Sequence, residues 1–249
     1  MNVSTRFFIA VFLVMAFAPA QADVSTARQF SEWMMQYHQH PTPSSITPNI
    51  KKAAELGVFK EPRRSWAVVG FIAGAIKSNP ALPKELVENL ANMDDAQYGL
   101  ILMGIWYGDL PNNQSRSIVY RELEKRPKML DKYSSISTEP NDMLEVQPKK
   151  GPWVLDAMWG YFFATGDKKA ALKIISALQW LNEGMKNDLK QLGKKGSYLI
   201  ATGGAAKWSL ISNSKQDERV LEICREQIPL QRYFIATQLV DIVAKATKG

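Results

Sequence analysis

PWVLDAMWGYFFATGDKKAALKIISALQWL, residues 152–181, decides the class of fold. Leu155, Met158, Trp159, Phe162 and Phe163 recur at three and four residues, which lays them along one helical face. Thr165-Gly166-Asp167 then makes a turn, with Asp167 placed to cap the helix after it. Ala171, Ile174, Ile175, Leu178 and Leu181 take up the same spacing on a more polar helix. The stretch therefore reads as a helical hairpin whose first helix is the more apolar.

Working outward, the pattern returns three times. Trp66 to Gly74 leads to Ser78-Asn79-Pro80, and Pro83 opens a helix with Leu86, Val87 and Leu90 on one face. Asp94 caps a helix bearing Tyr98, Ile101, Leu102, Ile105 and Trp106, which turns at Gly108-Asp109-Leu110-Pro111 into Ile118, Val119 and Leu123. A fourth copy carries Tyr198, Ile200, Ala201, Ala205, Trp208 and Ile211, a turn at Ser212-Asn213-Ser214, then Val220, Leu221, Cys224 and Ile228. Ahead of these, Val24, Ala27, Phe30, Met34 and Tyr37 mark an amphipathic helix that ends at His40-Pro41. Pro229 breaks the chain before a last helix, from about Leu230 to Ala246.

No run alternates with period two, so the expected fold is all-α, stacked helical hairpins forming an irregular α-solenoid with flanking N- and C-terminal helices. Its divisions are a signal peptide over 1–22, an N-terminal helix over 23–40, a linker and short helix over 41–64, and a helical-repeat domain over 65–249. Gly70 and Gly74, Gly104 and Gly108, and Gly203 and Gly204 lie inside these helices. Each costs roughly 1 kcal/mol relative to alanine, which points to close backbone approach at those places.

The first 22 residues read as an export signal. Arg6 precedes an apolar run from Phe7 to Ala18, then Pro19 and Ala20-Gln21-Ala22, with cleavage expected between Ala22 and Asp23. The run is about a dozen residues, well short of the roughly 20 that span a bilayer. The expected location is the periplasm, with full secretion the alternative. A formal net charge of +7 favours anionic surfaces. The single cysteine, Cys224, shares a stripe with Val220, Leu221 and Ile228 and reads as a small buried hydrophobe.

The four hairpins resemble the tetratricopeptide and HEAT class of α-solenoids over most of Trp66 to Gln227. Met158 to Asp167 and Ala205 to Leu210 are also similar to stretches of exported bacterial helical proteins. The resemblance implies binding through the surface that stacked helix pairs create, and names no ligand.

Signatures of catalysis are few. The two histidines, His38 and His40, stand two apart at a helix end and read as surface residues. No His-Glu-x-x-His, Cys-x-x-Cys, calcium loop, nucleophile elbow or phosphate loop occurs, so neither a metal nor a cofactor is expected. Asp109 and Asp167 occupy equivalent turns and read as caps. Seven tryptophans are the remaining resource. Most are expected in the core, while Tyr107, Trp153 and Tyr161 fall beside the core stripe and are the candidate groove anchors, with Lys149 and Lys150 lending charge. The expected function is non-enzymatic binding of a protein or peptide in the cell envelope. The alternatives are an enzyme or binder acting on peptidoglycan or another glycan, and electrostatic association with an anionic membrane surface. No nucleic-acid partner is expected.

Overall fold

The computed structural model describes residues 24–248, so the expected signal peptide and the cleavage site expected at Ala20, Ala22 and Asp23 lie outside the described residues. The described chain is all-helical: α1 (Ala27–Gln36), α2 (Ile46–Glu55), α3 (Pro62–Ser78), α4 (Leu82–Leu90), α5 (Asp95–Tyr107), α6 (Gln114–Glu124), α7 (Pro127–Tyr133), α8 (Pro152–Thr165), α9 (Lys168–Ser176), α10 (Glu183–Gln191), α11 (Lys194–Gln216), α12 (Glu218–Gln227) and α13 (Tyr233–Thr247), with short 3-10 turns between them. Among the described residues there is no strand, only an isolated bridge between Gly108 and Asp142. Gly166 ends α8 at φ 65°, a left-handed conformation that glycine adopts without a Cβ penalty. Asp167 accepts the Lys169 N–H to start α9, so the turn that decides the fold is formed as its residues require.

The hairpins α3/α4, α5/α6, α8/α9 and α11/α12 are all present, but they do not follow one another in space in chain order. Helix α3 runs parallel to α8, with Trp66 against Trp153, Gly70 against Ala157, and Gly74 against Tyr161 and Ala164. A Cβ on Gly70 would overlap the Ala157 carbonyl, and one on Gly160 would overlap that of Ala67. The opposite face of α3, through Val69, Ile72 and Ile76, receives Gly104 and Gly108 of α5. Helix α11 packs on α8, and the spatial order is α5, α3, α8, α11. Residue size explains the arrangement: with glycine and alanine at the crossing, two backbones approach more closely than larger side chains would allow.

Other elements also differ from the sequence reading. Residues 41–64 include α2, whose Ile46, Ile50 and Ala53 are fully buried, so this segment belongs to the core. Helix α1 joins the same core, since Trp33 and Tyr37 pack on Phe71 with ring centroids 5.2 and 5.0 Å away. Helix α11 continues through Ser212-Asn213-Ser214 as far as Gln216. There the Asn213 side chain donates to the Ser209 carbonyl and the Gln216 side chain to the Ser212 carbonyl, so residues that favour turns are held inside a helix. Asp217 then caps α12. Cys224 is buried, and burial pushes its thiol up to about 11.

Candidate binding cleft

Helix α8 is almost wholly enclosed, yet it carries one carboxylate, Asp156, on the side turned toward α11. Arg63 from the first turn of α3, Pro152, Leu155 and Asp156 from α8, and Ala201, Gly204, Ala205, Trp208 and Ser209 from α11 line a cavity of about 390 Å³. Helical spacing builds the α11 wall: 201, 204, 205 and 208 are three or four apart and share one stripe. Three of the four are alanine or glycine, so the floor is shallow and Trp208 stands above it, 64% exposed.

The electrostatics are unusual for a surface cleft. Burial pushes the Asp156 carboxyl up to about 7, and the Arg63 charge only partly offsets this. Neither Asp156 nor Arg63 makes a hydrogen bond or ion pair among the described residues, with each other or with any third group. Gly204 is exposed, helical in conformation and free of any neighbour that a Cβ would meet, so no packing demand accounts for a glycine there. The adjacent Gly203, by contrast, faces Leu181 and the Ala177 carbonyl at 3.1 and 3.2 Å from an added Cβ.

The residues that sequence spacing points to distribute differently. Tyr107 and Tyr161 are 1% and 4% exposed, so neither ring reaches solvent, and burial foremost pushes both phenols up. Trp153 is half-buried against Trp66, centroids 4.2 Å apart, and its indole N–H donates to the Lys150 carbonyl at 3.2 Å. Lys149 and Lys150 are exposed just ahead of α8, with Lys150 ion-paired to Glu139. Lys149, Lys150 and Trp153 are thus brought together beside Pro152, while the two tyrosines lie inside. Among the tryptophans, Trp106, Trp159 and Trp180 are core, whereas Trp208 is not. Sequence spacing alone does not bring Asp156, Trp208 and Gly204 to one site. The signal it does carry is the lone acid inside the apolar run of residues 152–165.

A second polar pair lies elsewhere. His38 Nε2 meets Asp217 Oδ2 at 2.9 Å, with both side chains nearly enclosed, and the His38 backbone N–H donates to the Phe163 carbonyl. His38 is therefore an internal tie between the end of α1 and the start of α12, and only His40 is exposed. Asp167 is a cap, as its position in the turn implies. Asp109 is not, since it adopts φ 45° and binds Lys77 and Asn141. Among the described residues no group of three metal-ligating side chains forms, and no helix is long and apolar enough to cross a membrane. No family model, curated protein or solved structure matches the chain.

Proposed function

We propose that the protein is an exported, non-enzymatic binding protein of the cell envelope that engages a protein or peptide through the cleft between α8 and α11. The observation that carries this reading is Trp208, a large ring left exposed above a floor of small residues, beside a carboxylate with no partner among the described residues. Tryptophan beside a concavity is the usual anchor of a binding surface, because it offers much apolar area with few rotatable bonds. In this reading the cleft takes the place of the concave face that a regular stack of hairpins would present. Export rests on the signal-peptide pattern of residues 1–22.

The test is crosslinking of a tagged copy in its native envelope, followed by mass spectrometry. A reproducible protein or peptide captured by the wild type and lost from W208A supports the reading. Capture unchanged in W208A, or sedimentation with cell-wall polymer alone, overturns it.

A further inference from the structure

We propose that the α8–α11 cleft accepts an amino-acid head, an ammonium and a carboxylate carried on one carbon, with Asp156 holding the ammonium and Arg63 the carboxylate. This rests on the reading of the α8–α11 cleft as a binding site and goes beyond it in ligand, because a peptide carries its ammonium and its carboxylate on different residues and only a free amino acid carries both on one carbon.

Two opposite charges line one cavity: Asp156 is the partly desolvated one, Arg63 is exposed, and neither is hydrogen-bonded or ion-paired by the protein among its described residues. A partly desolvated carboxylate without a partner is costly, and a ligand ammonium removes that cost. A ligand bearing only a cation would also face the Arg63 guanidinium, and one bearing only an anion would face Asp156. A head with both charges is matched at each end. The α11 wall of the cavity adds no charge, being Ala201, Gly204, Ala205, Trp208 and Ser209, and the Ser209 hydroxyl already donates to the Ala206 carbonyl. Gly204 and its two alanines leave room for the head to approach the helix backbone, and the Trp208 ring offers a flat apolar wall to the side chain that the head carries. At about 390 Å³ the cavity falls within the roughly 300–1,000 Å³ of small-ligand sites. Because burial raises the Asp156 carboxyl to about 7, the ammonium site is charged above that pH and neutral below it.

The experiment is a thermal-shift panel of the standard L-amino acids at millimolar concentration on the purified full chain at pH 8, then calorimetry with the best of them. The same calorimetry is run with its two halves, the amine that lacks the carboxylate and the acid that lacks the ammonium. The intact amino acid is expected to bind about tenfold tighter than either half, a difference of about 1.4 kcal/mol. D156N, with the shape of the wild-type side chain, is expected to bring the intact ligand down to the affinity of the acid, and R63Q to that of the amine. Affinity is expected to fall as the pH drops from 8 to 6. No shift with any amino acid, an amine that binds as tightly as the intact ligand, or indifference to D156N or to R63Q overturns the proposal. If that happens while envelope capture still depends on Trp208, the binding reading stands and only the ligand head is wrong. Loss of both removes the cleft from consideration.

Discussion

Asp156 is a residue whose cost to the fold is readable. Its folded-state pKa of about 7 lies above the unfolded carboxylate value of about 3.9, so folding favours the protonated form. Its penalty is absent below about pH 4, grows as the pH rises, and is complete above about pH 7. D156N should therefore stabilise the protein by about 2 kcal/mol at pH 8, a figure reduced for the water that still reaches the carboxylate, and by almost nothing near pH 4. Urea denaturation at the two pH values checks it, and equal effects at both would show that the carboxylate is well solvated. Asp217 has the opposite standing, because it both caps α12 and receives His38. D217A should cost about 2–3 kcal/mol at neutral pH in the same measurement, more than the roughly 1 kcal/mol of an ordinary cap, because His38 is left nearly enclosed without its partner. At this scale the sequence is only partly informative. Tyr107 and Tyr161 sit beside an apolar stripe and so read as rim residues, but α5 and α8 are apolar nearly all round and are covered on more than one side, which leaves them no rim.

At the scale of elements, helix existence and type are largely legible in the sequence. Residues 152–176 form the two α-helices and the turn that their spacing demands, while Leu178 and Leu181, read as the end of the second helix, lie in a 3-10 segment, and the hairpins at α3/α4 and α5/α6 follow suit. The turn read at residues 212–214 does not form, because side-chain propensity is local, whereas Ser214 lies buried against Cys224, where α12 packs on α11. The glycines separate the cases further. G70A should be severely destabilising, by more than about 3 kcal/mol, since its Cβ would meet a backbone carbonyl that cannot move without parting α3 from α8. G204A meets nothing and should stabilise α11 by roughly 0.5–1 kcal/mol while weakening binding in the cleft. Thermal denaturation of the two variants side by side checks both signs.

For the molecule as a whole, the order α5, α3, α8, α11 is not legible in the sequence, because periodicity tells which face of a helix is buried and not which helix covers it. The glycine pairs at 70/74 and 104/108 announce close approach without naming partners, and α3 uses opposite faces to meet both α8 and α5. One continuous core results, reaching from Val24 in front of α1 to Ile242 in α13. Urea should therefore unfold the chain in one step, with circular dichroism and tryptophan fluorescence giving coincident transitions, where a stack of separable repeats would unfold in stages.

The α3–α8 contact also sets a clock. Gly70 leaves the ribosome long before Ala157 does, and at about 5–20 residues per second the delay is on the order of five to twenty seconds. Through that interval the nascent chain carries a bare strip around Ala67, Gly70 and Gly74, whose covering helix has yet to be made. A chain that emerges N-terminus first, from the ribosome or across a membrane, is therefore most open to aggregation and to chaperone capture while α3 is out and α8 is not.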